Sequence, residues 1–199
     1  MTLDYRRVRD QITDRLREEI MTGKHEEGEQ MREIPLAERF QVSRGPVRDA
    51  LLQLTQEGLL RAQPNRGARV AGVWDSAIRP AMVKLRLQLE GTAVRALITE
   101  RGHDLRPFKT NLRHFAIACE DNDLPSVVQL DMAFHRLILR QCGHAGLETV
   151  WLPIMAGMRL PYSRHKSLLE SYEEHTSIVE AIEQGRIRKA LEALKTNIH

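Results

Sequence analysis

A chain of 199 residues with 42% apolar and 29% charged residues is long enough to bury a real core and is too apolar to be read as a disordered polymer. No apolar run approaches the ~20 residues needed to span a bilayer, and the opening stretch lacks an apolar signal core, so a cytoplasmic protein with no membrane partner is expected. The net charge of +3 is mildly basic and permits a nucleic-acid partner, and Cys119 and Cys142, in no Cys-x-x-Cys pattern, fit two free thiols in a reducing compartment.

The first predicted helix runs from about Tyr5 to Met21. Val8, Ile12, Leu16 and Ile20 fall on one stripe at spacing four, while Arg7, Arg9, Asp14, Arg17 and Glu18 are expected on the wet side. Thr22-Gly23 stops it, and a polar loop follows through Gly28. A second helix spans about Ile34 to Phe40. The third begins after Ser43, an expected N-cap, accepts Pro46 in its first turn and ends near Glu57-Gly58. Val47, Ala50, Leu51 and Leu54 face inward. Leu59–Gln63 and Ala68–Val73 read as two short strands joined by Pro64-Asn65-Arg66-Gly67. Three helices and a hairpin make a winged helix-turn-helix.

Beyond Asp75 every predicted segment is helical: Ala77–Arg101, Asp104–Glu120, Pro125–Gln141, Ala145–Tyr162, Leu168–Glu183 and Arg186–Ile198. Pro153 is expected to kink the helix that holds it. The expected fold is mainly α, with a winged helix-turn-helix over 1–75 followed by an all-α bundle over 76–199.

A recognition helix needs donors near its N-terminus, where base edges come within reach. Arg44 and Arg48 are one turn apart and point the same way, Ser43 can hold a phosphate, and Gly45 allows close backbone approach. Arg61, Arg66 and Arg69 lie in the wing with no acid between Glu57 and Asp75, and Gly67 at its tip permits a thin loop. The alternative is an ordinary solvated arginine face.

Leu36-Ala-Glu-Arg-Phe-x-Val-Ser-Arg-x-Pro-Val-Arg-Asp-Ala-Leu-x-x-Leu-x-x-Glu-Gly-Leu resembles the DNA-binding signature of the GntR family of bacterial transcription regulators, and Asn65-Arg66-Gly67-Ala68-x-Val70 resembles its wing. The resemblance implies DNA contacts at Ser43, Arg44, Arg48 and Gly67. Gly45 stands where the family usually has Thr, and Ile34 where some members place Arg.

In the second half, Asp131 and His135 lie at i and i+4 on one helix face, a spacing that can hold a divalent ion or make a plain ion pair. Asp131-x-x-x-His135, Glu174-His175-x-x-Ile178-x-x-Ala-Ile182 and Val83-Lys-Leu-Arg86-x-x-Leu89-Glu90 resemble landmarks of the FCD-type ligand-binding domain of the FadR-like branch. That resemblance implies a metal (zinc, nickel or manganese) held by an Asp and three His beside an effector pocket. Asp131, His135 and His175 match three ligands. Asn197, twenty-two residues after His175, stands where the family has the last His, and His199 lies about 200° further around the helix. Arg86 matches an Arg that often faces the pocket, where it would bind a carboxylate effector; its other role is an ion pair with Glu90. The Trp151–Met158 stretch reads as core packing or pocket wall.

The expected function is a homodimeric DNA-binding transcription regulator of a double-stranded operator, a repressor responsive to a small carboxylate metabolite, and not an enzyme. The rivals are a metal-dependent hydrolase, for which no nucleophile–base pair or glycine-rich phosphate loop is found, and a regulator whose metal-free helical domain serves only dimerisation.

Overall fold

A computed structural model describes residues 5–63, 67–100, 104–144, 146–158 and 167–198, with side chains from residue 8 onward. The chain divides into two compact units. One comprises Met1–Trp74 with Leu152–Arg159, the other Asp75–Trp151 with Leu160–His199.

The N-terminal unit runs α1 (Tyr5–Met21), β1 (Gln30–Met31), α2 (Glu33–Phe40), α3 (Arg44–Gln56), β2 (Leu60–Gln63) and β3 (Gly67–Val70). Ile12 and Leu16 of α1 meet Leu36 and Ala37 of α2 and Val47, Ala50, Leu51 and Leu54 of α3 in one apolar core. Burying these side chains stabilises the three-helix arrangement by about 1.5–3 kcal/mol for each large one. α2 ends at Gln41, whose left-handed φ of 55° reverses the chain and lets its N–H cap the carbonyls of Ala37 and Glu38. Ser43 precedes α3 in extended conformation, but its side chain makes no capping hydrogen bond. The predicted two-stranded wing is a three-stranded antiparallel sheet in the order β1-β3-β2. β1 is only two residues long, too short for any periodicity, and is recruited by pairing Met31 with Ala68. Gly67 opens β3 at φ +80°, where a Cβ would stand 3.4 Å from the Met31 carbonyl oxygen. The segment 152–159 joins this unit through Ala156, which packs on the core, and through Trp74, whose indole N–H donates to the Ile154 carbonyl at 3.1 Å.

Arg17 departs from the sequence expectation. It is buried, not on the wet side, and grips both oxygens of the buried Glu57 with Nε and Nη2 at 2.7 Å each. A heptad pattern gives charged residues to solvent by default. Only the approach of α1 to the end of α3 supplies the carboxylate that makes burial of a guanidinium tolerable. Glu19 is buried as well and ties α1 to α2 through Arg39 Nη1 at 2.8 Å.

The second unit contains α4 (Arg79–Thr99), α5 (Arg106–Glu120), α6 (Leu124–Gln141), the start of α7 (Gly146–Ala156), α8 (Leu168–Glu183) and α9 (Ile187–Asn197). α5 packs on α6 and α8, α8 on α9, and α4 on α6 and α9. Phe108, Phe115, Phe134, Ile138, Leu139, Trp151 and Ile178 are fully buried. α7 is shorter than predicted, ending at Ala156; Pro153 lies inside it. The remainder of the predicted helix, from Arg159 to Tyr162, lies outside the described residues. Cys119 and Cys142 are free and buried. No helix among the described residues is long and apolar enough to cross a membrane.

Arg17→Ala leaves the Glu57 carboxylate buried without its guanidinium and is expected to cost ~3–5 kcal/mol. Asp14→Ala removes a solvent-exposed partner of Arg17 while the Glu57 pair stays in place, and should cost less than ~1 kcal/mol. Urea titrations of both variants against the parent check the contrast; equal losses would remove Arg17–Glu57 as a buried tie.

Candidate functional site

Two regions bring the predicted residues together. In the N-terminal unit, α3 buries Pro46, Val47, Ala50, Leu51 and Leu54. The helical period then turns Ser43, Arg44 and Arg48 to solvent, and all three are exposed, with Gly45 half-buried beside them. Arg44 is steadied by Glu33 of α2, with Nη2 at 2.9 Å from Oε2. That contact is exposed and weak, so the guanidinium can exchange it for another anion.

On the wing, Arg61 and Arg69 are register partners across β2 and β3 and so share a face. They differ in burial. Arg61 is exposed, whereas Arg69 is half-buried and donates to Gln63 Oε1 at 2.8 Å and to the Gly28 carbonyl at 2.6 Å. Arg69 therefore braces the sheet. Gly67 is held where its conformation and the nearby Met31 carbonyl favour glycine, so its place in the motif has a structural reason of its own. Arg66 lies outside the described residues.

In the C-terminal unit, α6 and α8 place Asp131, His135 and His175 at one buried point, with one ligand atom from each within 4.8 Å of the others. Spacing predicted the first two as neighbours; only packing of α8 against the bundle brings the third. The tautomers of both rings follow from their outer bonds. His135 Nδ1 lies 2.6 Å from Glu90 Oε2, and His175 Nδ1 lies 2.6 Å from the Ser171 carbonyl oxygen. A carbonyl accepts and cannot donate, and a carboxylate held by an arginine is ionised, so each Nδ1 carries the proton. Burial pushes His135 below the usual histidine range, although Glu90 pulls the other way, so the ring is neutral.

Each Nε2 therefore faces away from these outer bonds. His135 Nε2, His175 Nε2 and Asp131 Oδ2 are buried with no hydrogen-bond partner. His175 Nε2 lies 3.2 Å from Asp131 Oδ1, and His135 Nε2 lies 3.9 Å from the same oxygen. A carboxylate and two imidazole nitrogens gathered at one buried point are costly unless a cation, a proton or a metal ion, sits among them. One carboxylate and two imidazoles suit a first-row divalent ion, so the residues fit a metal.

Asn197 of α9 is buried alongside. Its Nδ2 lies 3.1 Å from Glu174 Oε2 and 3.4 Å from His175 Nδ1, which puts the amide beside the outer edge of that ring. Arg86 is buried and donates from Nε to Glu90 Oε1 at 2.7 Å. Trp151 Nε1 donates to the same oxygen, also at 2.7 Å. Glu90 and Trp151 were not among the predicted site residues. Glu90 was visible as a possible i+4 partner of Arg86 at the end of a family landmark, and Trp151 only as part of a stretch read as core packing or pocket wall. His199 lies outside the described residues.

Comparison with known proteins gives a match over residues 8–70 to the bacterial regulatory proteins of the gntR family, and over residues 81–199 to the FCD domain. The chain is similar to an uncharacterized HTH-type transcriptional regulator in an unstable DNA locus of Streptomyces ambofaciens, 30% identical over 194 residues, covering 92% of this chain and 79% of that one. It is 32% identical over 174 residues to the gluconate operon transcriptional repressor of Bacillus subtilis, covering 83% of this chain and 68% of the relative. The solved structure of E. coli McbR/YncC shares the fold, with a TM-score of 0.80 at 20% identity over 100% of this chain and 94% of that one.

Burial opposes the charge of Glu90, but Arg86 and His135 outweigh it and hold the carboxyl down at about 2, against an ordinary 4.5. A folded value below the unfolded one gives stability that is complete above pH 4.5 and lost as the pH falls toward 2. Chelator-treated protein should therefore lose about 2 kcal/mol more between pH 5 and pH 3 than Glu90→Gln does, measured by urea unfolding. Parallel losses would show that Glu90 is not charged in the fold.

Proposed function

The chain belongs to the gntR family of bacterial regulatory proteins, with an FCD domain as its C-terminal part, and we propose that it is a metabolite-responsive repressor that reads a double-stranded operator through α3. It is a DNA-binding transcription regulator and not an enzyme, as its family and relatives are; the hydrolase rival falls with that membership. The observation that carries the operator reading is the division of α3 into a fully buried apolar stripe and an exposed N-terminal face bearing Ser43, Arg44 and Arg48.

In this reading Arg44 and Arg48 contact base edges, Ser43 and Gly45 meet the phosphate backbone, and Arg66 and Gly67 belong to the wing contact. The protein works as a cytoplasmic homodimer, since a two-fold operator is read by a two-fold protein. The proposed domain boundary, between residues 75 and 76, lies one residue from the break between the compact units at Trp74 and Asp75. A relative is named as a repressor of a gluconate operon, which supports a small carboxylate as the class of effector.

Asp131, His135 and His175 hold a divalent ion (zinc, nickel or manganese); Asn197, the expected weak fourth donor, has its amide at the outer edge of the His175 ring and stands back from the three. The ion supplies a Lewis-acidic position for a carboxylate. Arg86 spends its Nε on Glu90, so an effector would meet the other edge of the guanidinium. The effector controls repression only through unequal affinity for the DNA-competent and incompetent states.

Arg48→Ala should weaken specific operator binding by ~1–3 kcal/mol and relax sequence preference, measured by competition between specific and random duplexes. Arg61→Ala should instead lower affinity for every duplex and reduce the salt slope by about 1. Unchanged specificity in Arg48→Ala would reject α3 as the reading helix. Elemental analysis of protein purified without chelator should find one divalent ion per chain, and Asp131→Ala should lose it. Equal content in both would reject the metal site.

A further inference from the structure

Within the metal reading above, on which this inference rests, we propose that Glu90 is the positioning residue of the site, fixing His135 as a ligand. Its Oε2 accepts the His135 Nδ1 proton at 2.6 Å, which leaves Nε2 aimed at Asp131 with its lone pair free. Its Oε1 takes Arg86 Nε and Trp151 Nε1, each at 2.7 Å. Three donors from α4, α6 and α7 thus hold one fully buried carboxylate.

The chain contains its own comparison. Arg17 and Glu57 form a buried pair in which the guanidinium takes both carboxylate oxygens. Arginine–carboxylate pairs frequently take that two-pronged form. Arg86, by contrast, occupies one oxygen of Glu90 and leaves the other for the imidazole. An anionic acceptor behind a ligating ring fixes its tautomer and makes the inner nitrogen a better donor. At His175 the Ser171 carbonyl does this, and no side-chain substitution removes it. His135 is the ligand whose quality depends on a side chain, and the side chain is Glu90.

The test titrates chelator-stripped full-length protein with Zn²⁺ alone, in competition with a chromophoric chelator. The variants are Glu90→Gln, Arg86→Met/Glu90→Gln and Asp131→Ala. Glu90→Gln should weaken Zn²⁺ about 10- to 100-fold. The double variant leaves no buried charge unpaired and should weaken it to the same degree, so it decides the matter if Glu90→Gln fails to fold. Nitrogen-15 NMR of labelled histidines supplies a readout that a merely structural role would not move. His135 should hold its proton on Nδ1 in the parent and lose that preference when Glu90 is replaced. Parent protein that binds no Zn²⁺ overturns the metal reading itself. Parent binding that Asp131→Ala abolishes, with affinity within about threefold of parent and an unchanged His135 tautomer in the Glu90 variants, overturns the role of Glu90 alone.

Discussion

Two hydrogen bonds pointing away from the centre, His135 to Glu90 and His175 to the Ser171 carbonyl, govern the helical unit. Each fixes a proton on the outer nitrogen, and together they turn two imidazole Nε2 atoms and a carboxylate toward one buried point. A protein interior normally avoids such a meeting of acceptors. Here four helices hold it in place: α4 supplies Glu90, α6 Asp131 and His135, α7 Trp151, and α8 Ser171 and His175. Aromatic packing closes it, with Phe115 and Phe134 each centred 4.7 Å from the His175 ring. Exclusion of water by these rings makes the unmatched acceptors costly and a cation correspondingly favourable.

The N-terminal unit solves a different problem. A recognition helix has to be rigid while most of one face stays free. Rigidity comes from the opposite face, where the apolar stripe of α3 locks into α1 and α2. The Arg17–Glu57 pair pins the far end of α3, and the left-handed turn at Gln41 sets the start. Arg69 spends its charge on the sheet so that β1, a two-residue strand, stays attached. Basic residues in one hairpin thus divide their labour: Arg61 remains exposed, and Arg69 holds the backbone. Charge pattern alone treats them as equivalent.

Nearly every helix was legible as periodicity, because an amphipathic stripe forces a 3.6-residue repeat wherever one face packs and the other meets water. The exposure of Ser43, Arg44 and Arg48 was legible for the same reason, since they occupy positions the stripe leaves over. The sequence also marked Asp131 with His135, whose i, i+4 spacing is a local property of one helix. β1 and the burial of Arg17 were not legible: each depends on a partner more than thirty residues away, Ala68 for Met31 and Glu57 for Arg17.

What residue order determined by itself was the two-part architecture, the outward face of α3 and a carboxylate–imidazole pair on α6. What only the tertiary structure decided was the meeting of His175 with that pair, the proton on each outer nitrogen and the identity of the groups behind them. The division has a physical cause. Helical periodicity is written in neighbours within one turn, whereas the state of a buried imidazole is set by which acceptor another helix brings to its outer nitrogen.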